Sequence, residues 1–522
     1  MIKLLDCTLR DGGYVNNWYF HYNNIKKIED ALEKSNIDII ECGFIEDSKY
    51  TYDSNYAKYN SFSQINKKRN KDYALMLLTE KYNIEDLPKS KGKNEIIRLS
   101  FHKSDVKKAI KYSKIIKSKG YRLFWQPTAT MRYTNDELDE LFKVCNEEIM
   151  PESIALVDTF GEMKKDDVIR LSKLFNKKVN KNITISFHAH NNLQNAFYNA
   201  LEFLNIMIKN NRNVVIDSSI FGMGRGAGNL CSELIIEFLN NNYDKNYYLD
   251  PLLDVTDTIL TDIRKENYWG YSLEFYLSAK NSCHPNYSIY LSNKKSLTTS
   301  DINNILNMIS FDKKIDFDKD YAEGLYQSYN EKEIDDEKNY QILARNIKNK
   351  KVILIGPGRS ILENKNKITK YLNKKDDFYS ISINQKSIYD TDAIFISNRK
   401  RKEEMEIFKN SKYIFTSNVE SKNNKHLVFD YQKNIASELQ KSDNSLLMML
   451  NILRKIGVKE IYLAGFDGYE LNNSDNFYDN SLSFIIDKNK AKELNESLKK
   501  YIKLYKKELN ITFITKSKYE VK

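Results

Sequence analysis

Residues 184–190 read TISFHAH. The run has the length and apolar character of a β-strand, and side chains two apart on a strand share a face. His188 and His190 are therefore expected to point the same way. Similar runs recur on either side of this one. Ile2–Thr8, Asp38–Phe44, Tyr73–Leu78, Glu95–Phe101, Tyr121–Pro127 and Ser153–Thr159 precede it, and Val214–Ile220 follows. Helix-length polar or amphipathic segments, such as Val106–Lys117 and Asn135–Cys145, separate them. Eight β-then-α units in about 240 residues predict a closed (β/α)8 TIM barrel of the α/β class, over residues 1–245. An open doubly wound sheet rarely needs so many units.

Chemistry in such a barrel belongs at the C-terminal ends of the strands. Polar residues collect there in this sequence: Arg10 and Asp11 after the first run, Glu41 in the second, His102 after the fourth, Gln126 in the fifth, Asp158 and Thr159 in the sixth, His188 and His190 in the seventh, and Asp217 and Ser219 in the eighth. Two imidazoles on one face with a carboxylate on the same rim make a divalent-metal site with open positions. Asp11, His188 and His190 are the expected ligands. Mixed oxygen and nitrogen donors suit Mn2+, Mg2+ or Co2+, and no thiolate is needed. The glycines at 222, 224, 226 and 228 let a backbone approach a ligand closely, and support of the substrate or of the metal loop is the favoured reading, with a tight turn before the next helix as the alternative.

Composition narrows the remaining classes. The chain has 522 residues, 41% of them hydrophobic, and a net charge of +11. The lysines are interspersed with acids and form no compact stripe, which argues against a nucleic-acid partner. The five cysteines (7, 42, 145, 231, 283) lack paired spacing, so a reducing cytoplasm is expected rather than a disulfide framework. The N-terminus turns polar too early for a signal peptide, and no apolar run is long enough to span a bilayer.

The stretches LDCTLRDGGY, FHAHNNLQNAFYNAL and DSSIFGMGRGAGN fall on the first, seventh and eighth strands. Together they resemble the DRE-TIM metallolyases, a group that includes 4-hydroxy-2-oxovalerate aldolase, 3-hydroxy-3-methylglutaryl-CoA lyase and isopropylmalate synthase. The resemblance covers about residues 1–290 and is nearest the hydroxy-oxovalerate aldolase branch. It implies that Asp11, His188 and His190 hold Mn2+, Mg2+ or Co2+, and that Arg10 stabilises a pyruvate enolate. A cation and a guanidinium neutralising an enolate oxygen is sound chemistry for making or breaking a C–C bond beside a ketone. The partners it implies are a 2-oxo acid and an aldehyde, and a homo-oligomer is expected. Glu41, Gln126, Asp158, Gly224 and Asn229 are assigned to substrate binding or to support of the metal. In one respect the sequence departs from the aldolases: Tyr14 stands where they carry a basic histidine. A phenol of ordinary pKa, about 10, is a poor base at neutral pH. Tyr14, His21, His102, His284 and metal-bound water all remain open for the role.

Residues 246–345 read as a helical extension, with helices at Leu252–Arg264, Leu273–Ser282 and Asp301–Met308. His284, in SCHPNY, is a candidate to cap the site; a loop histidine beside Pro285 is the alternative. A Rossmann-like domain is expected over 350–522. KKVILIGPGRS is a strand feeding a glycine loop, but the third glycine of the dinucleotide fingerprint would fall at Ile361, and Asn384 stands where an NAD binder has an acid. Further strands are expected at Tyr379–Ile383, Ala393–Ser397, Tyr413–Thr416, Leu427–Phe429, Glu460–Ala464 and Ile511–Thr515, with a helix at Ser445–Ile456. GPGRS, SINQ and IYLAGFDGY resemble family-42-type sialyltransferases and MptE-like pyrophosphokinase domains. That resemblance implies a nucleotide or nucleotide sugar at Gly356, Gly358, Ser360 and Asn384, and through it a place in surface-polysaccharide synthesis. No counterpart of the transferases' catalytic histidine is evident; His426 is nearest.

Three functions follow. The first is a metal-dependent aldolase joining a 2-oxo acid to an aldehyde. The second is an acyl-CoA Claisen synthase or lyase on the same barrel, although the lyases' catalytic cysteine is missing from 222–228 and Cys231 lies beyond it. The third is a non-catalytic barrel serving a C-terminal transferase, against which the intact Arg10, Asp11, His188 and His190 argue.

Overall fold

The computed structural model describes all residues except 48, 66–70, 295, 406–410, 420–425, 440–441, 470–487 and 521–522. Contacts divide the chain into two compact units, Met1–Ile289 with Ile309–Asp318, and Tyr290–Met308 with Lys319–Lys522. The helices expected over 246–345 are shared between them.

In the first unit eight strands run parallel: β1 (Ile2–Asp6), β2 (Ile39–Ile45), β3 (Asp72–Leu78), β4 (Glu95–Phe101), β5 (Arg122–Pro127), β6 (Ser153–Asp158), β7 (Thr184–Ala189) and β8 (Val214–Ser218). Each pairs with the next, and β1 pairs with both β2 and β8, which closes the barrel. The predicted (β/α)8 architecture is present. Several strands end before the polar residues assigned to them, because those residues leave the ladder to form the rim.

Helices α1 (Tyr22–Lys34), α2 (Val106–Ser118), α3 (Asn135–Val144), α4 (Lys165–Lys178), α5 (Ala196–Lys209) and α6 (Ser232–Tyr243) follow β1 and β4 through β8. Local chemistry sets their starts. At α3, Thr134 accepts the Glu137 amide while Glu137 accepts the Thr134 amide, a reciprocal cap worth about 1 kcal/mol. After β2 and β3 the described residues carry no α-helix, only the two-residue strand Lys58–Tyr59 beside β2 and the short 3-10 turns Phe62–Gln64 and Ile84–Asp86. The second unit of the pattern is rich in Ser, Asn and Asp, whose side chains compete for backbone hydrogen bonds. The third contains Pro88 and Gly92, which break helices.

The barrel interior is layered by strand alternation. Leu5, Ile39, Ala74, Ile96, Phe124 and Val215 form one buried apolar cluster. Two residues further along β2 to β5 and β8 come Glu41, Met76, Arg98, Gln126 and Asp217, all buried. The polar layer thus rests directly on an apolar plug, nearer the C-terminal rim. A larger core packs the outside of the barrel against its helices, with Leu75, Ile97, Trp125 and Phe187 facing α2–α5. The helix expected at Leu252–Arg264 forms as Asp250–Val255 and Thr261–Glu266, joined by a π-turn at Thr256–Leu260.

The second unit holds β9 (Lys351–Ile355), β10 (Phe378–Ile383), β11 (Ala393–Ile396), β12 (Tyr413–Thr416), β13 (Leu427–Phe429), β14 (Glu460–Ala464) and β15 (Asn510–Phe513). They form one parallel sheet in the order β13-β12-β11-β10-β9-β14-β15. In β9, Val352 and Leu354 join the cluster around helix α7 (Ser445–Lys455), while Ile353 and Ile355 pack on the other face with Ile361 and Ile368. A strand buried on both faces must be apolar throughout, as KVILI nearly is. Among the described residues no helix is long and apolar enough to cross a membrane, and all five cysteines are free thiols.

Candidate metal centre

Asp11, His188 and His190 offer one donor atom each within 4.8 Å of one another, and all three are buried. Asp11 sits just past β1, in a turn where its amide donates to the Cys7 carbonyl. The histidines come from the end of β7. The Nε2 atoms of His188 and His190 lie 3.5 and 3.9 Å from Asp11 Oδ2. Each ring is oriented from behind. His188 Nδ1 is 3.0 Å from Asp217 Oδ2, and His190 Nδ1 is 3.2 Å from the Arg225 carbonyl. Both partners can only accept, so Nδ1 carries the hydrogen and the Nε2 lone pair of a neutral ring faces Asp11, the arrangement metal-ligating histidines adopt.

Electrostatics agree with the geometry. Burial opposes ionisation of Asp11, but Arg10 and the two imidazoles outweigh it and hold its pKa well below the ordinary value. Burial lowers the His190 pKa to about 3, so that ring is neutral at working pH. Burial also opposes protonation of His188, but hydrogen bonds to Asp11 and Asp217 overcome it and raise its pKa.

Beneath the three ligands runs a closed ring of charge. Arg10 donates to Asp11 and, through Nε at 2.9 Å, to Glu41 Oε2. The same Glu41 oxygen accepts from Arg98 Nη1 at 2.7 Å. Arg98 Nη2 donates to Asp217 and, at 3.0 Å, to Gln126 Oε1. Asp217 holds His188, which returns to Asp11. Arg98 is completely buried. Sequence reading missed it, although a signal existed: an arginine inside the apolar run EIIRLSF, at the interior parity of Ile96.

The residues present fit a divalent cation. Their donor set is one carboxylate and two imidazoles, and a buried amide oxygen, Asn229 Oδ1, has no partner among the described residues. Asn229 is anchored through its Nδ2 to the Met223 carbonyl at 3.2 Å and bridges to His190 through the backbone. A Cβ at Gly224 would come within 2.3 Å of Asn229 Nδ2 and 3.1 Å of Asp11 Oδ1, so only glycine lets the loop close over the ligands. Gln126 Nε2 and Glu41 Oε1 are likewise buried without partners among the described residues.

The remaining expected residues fall as follows. Tyr14 packs edge-on to Trp18 and Phe44, with the Arg225 guanidinium 5.5 Å from its ring. Loss of solvent raises its pKa, so the hydroxyl keeps its proton. Asp158 accepts the Glu162 and Met163 amides at 2.9 and 3.1 Å, which ties down the loop after β6; burial lifts its pKa to about 7. Among the other histidines, His21 is exposed at the start of α1, and His102 pairs with Thr128 at 2.9 Å. His284 packs on Phe160 and Phe317. Burial, followed by the charge of Arg225, lowers its pKa to about 3.

In the second unit, Gly356 and Gly358 lie at the ends of β9 and β14, where strand order reverses and α/β sheets receive ligands. Both donors of Ser360 are taken. Its amide meets Asp467 Oδ2 at 2.8 Å, and its hydroxyl meets the other carboxylate oxygen. Asn384 has φ +52°; it accepts the Ser397 amide at 3.0 Å and donates to the Ser445 hydroxyl.

A family model described as HMGL-like matches residues 1–259. A 4-hydroxy-2-oxovalerate aldolase from Geobacillus genomosp. 3 is 26% identical over 298 residues, covering 53% of this chain and 86% of the relative. A homocitrate synthase from Pyrococcus horikoshii is 25% identical over 265 residues, covering 48% and 70%. Among solved structures, the N-terminal domain of a candidate aldolase from Bacteroides vulgatus is 27% identical with a TM-score of 0.47, covering 56% of this chain and 96% of that one.

Proposed function

Residues 1–259 belong to the HMGL-like family, and from that premise we propose that the barrel is a divalent-metal-dependent aldolase joining a 2-oxo acid, through its enolate, to an aldehyde. The observation that carries this reading is the convergence of two Nε2 lone pairs on Asp11 with Arg10 alongside. A divalent cation there, Mn2+ by preference over Mg2+ or Co2+, would polarise the carbonyl oxygen of the 2-oxo acid. Arg10 is held by Asp11 and Glu41 through Nη1 and Nε, and its Nη2 remains without a partner among the described residues, in a position to meet a developing oxyanion. Tyr14, kept protonated, can donate to the alkoxide formed from the aldehyde. Glu41, Gln126 and Asn229 place unpartnered buried polar atoms around the same space; Gly224 leaves room for them, and Asp158 steadies the neighbouring loop.

The test is deuterium exchange into the methyl group of pyruvate, followed by NMR, with Mn2+ present and no aldehyde. We expect exchange in the native protein and its loss in His188→Ala. Absence of exchange with any of the three metals would sink the reading. Condensation with an aldehyde panel then identifies the acceptor.

The homocitrate synthase relative supports a second reading, an acyl-CoA Claisen synthase. Release of free thiol from acetyl-CoA in the presence of a 2-oxo acid would establish it. Cys231 gives no support to the lyase variant, because burial pushes its thiol up to about 12. For the second unit we propose a nucleotide or nucleotide-sugar ligand at Gly356, Gly358, Ser360 and Asn384, and with it a role in surface-sugar synthesis. A phosphate there must displace Asp467 from Ser360.

A further inference from the structure

Arg225 occupies a place that no requirement of the metal ligands explains. Its backbone clasps two of them: the amide donates to Asp11 Oδ1 at 3.3 Å, and the carbonyl accepts from His190 Nδ1 at 3.2 Å. Its side chain therefore starts beside the metal centre. Glycines flank it, and the backbone is pinned on both sides. A Cβ at Gly226, where φ is +72°, would come within 2.6 Å of Asn192 Oδ1, and one at Gly224 would strike Asn229. The guanidinium is thus delivered to the rim by a loop with little freedom.

Arg225 differs from the other arginines around the metal centre in its lack of a counter-charge. Arg10 has Asp11 and Glu41, Arg98 has Glu41 and Asp217, Arg132 has Glu162, and Arg122 has Glu152 and Asp72. Arg225 has no carboxylate within ion-pair distance among the described residues. Its neighbours are the Tyr14 ring at 5.5 Å and the Thr159 carbonyl, 3.5 Å from Nη2. Arg225 is half-buried, a setting in which a bare guanidinium, a flat fork of donors, is suited to a carboxylate or phosphate. The charge count points the same way. Three acids (Asp11, Glu41, Asp217) face Arg10 and Arg98, which with a divalent cation leaves one positive charge, matched by the carboxylate of a 2-oxo acid. Arg225 adds a second.

We propose that Arg225 binds an anionic group, carboxylate or phosphate, on the second reactant, so that the acceptor is a negatively charged aldehyde rather than a simple alkyl one. This rests on the aldolase reading and names the class of its acceptor. His284, whose Nδ1 accepts the Asn286 amide at 3.1 Å and so leaves Nε2 as the N–H, lies close enough to Arg225 to feel its charge, and the Tyr14 ring is 5.5 Å from the guanidinium. Both are neutral donors compatible with the same anion.

The experiment is calorimetric titration of the full-length protein loaded with Mn2+ and saturated with oxamate. Oxamate fills the 2-oxo-acid position and has no methyl group to react. Succinic semialdehyde is compared with butanal, and glycolaldehyde phosphate with glycolaldehyde; the two pairs separate carboxylate from phosphate recognition. We expect at least tenfold tighter binding of one anionic member, erased in Arg225→Gln and partly kept in Arg225→Lys. Equal binding of charged and neutral members, no binding of either, or a preference that survives Arg225→Gln overturns the proposal. Pyruvate exchange in the native protein is read separately. Exchange without an anion preference rejects only the role of Arg225, and an anion preference without exchange rejects only the aldolase reading.

Discussion

Arg98 and His188 never touch, yet they share one carboxylate: Asp217 Oδ2 accepts from Arg98 Nη2 and lies 3.0 Å from His188 Nδ1. Through Glu41, Arg98 also steadies Arg10. A fully buried cation at the centre of the barrel thereby sets the orientation of one candidate metal ligand and of the Arg10 guanidinium beside the candidate site.

Replacing Arg98 with methionine leaves two buried carboxylates short of a counter-charge: Glu41 keeps only Arg10, and Asp217 only His188. Breaking such a pair costs about 3–5 kcal/mol, and thermal unfolding should fall by on the order of 10 °C. The triple variant Arg98→Met, Glu41→Gln, Asp217→Asn removes the stranded charges and should regain most of that stability without regaining metal affinity. Recovery of full affinity in the triple variant would show that the ring does not orient the ligands.

Metal binding should depend on pH through His188 alone. His190 is neutral down to about 3 and Asp11 is ionised below its ordinary range, so neither titrates between pH 5 and 8. The folded pKa of His188 lies above 6.5, and its proton must leave before Nε2 can ligate. Mn2+ affinity should be full above that pKa and fall roughly tenfold per pH unit below it. Calorimetry in buffers of differing ionisation enthalpy should count one proton released in that lower range; a count of zero there, or of two, contradicts the assignment.

Gly224→Ala should weaken Mn2+ binding by on the order of a hundredfold while leaving the barrel folded. The added methyl lands 2.3 Å from Asn229 Nδ2 and 3.1 Å from Asp11 Oδ1, and displacing outer partners of metal ligands typically costs 10–100-fold. Far-ultraviolet circular dichroism checks the fold, and fluorescence-monitored metal titration checks the affinity. Unchanged affinity would remove Asn229 and its loop from the site.

In the second unit the carboxylate of Asp467 holds both donors of Ser360. A nucleotide phosphate must compete with it, and Asp467→Asn removes the charge while keeping the shape. Cytidine monophosphate should bind the variant at least tenfold more tightly than the native protein. An equal or weaker constant would argue against a phosphate at this loop.

Much of this was legible in the sequence. Apolar runs of strand length named all eight barrel strands, and the spacing of His188 and His190 placed both rings on one face, because a strand's period is two wherever it lies. The helices of the second and third units were overread, since the pattern marks where a connection must run and not whether Ser-, Asn- or Pro-bearing residues will coil within it. The nucleotide reading of GPGRS rests on its local pattern, which cannot reveal that Asp467, 107 residues away, holds Ser360.

The sequence by itself determined the strands, their inward faces and the three donor residues, because alternation and turn chemistry act over a few residues. Tertiary structure alone decided which charges meet. Arg98 finds Glu41 and Asp217 across 57 and 119 residues, and the Arg225 amide finds Asp11 across 214. Those pairings exist only once β1 has closed against β8, and closure also leaves Arg225 at the rim with no carboxylate to answer it.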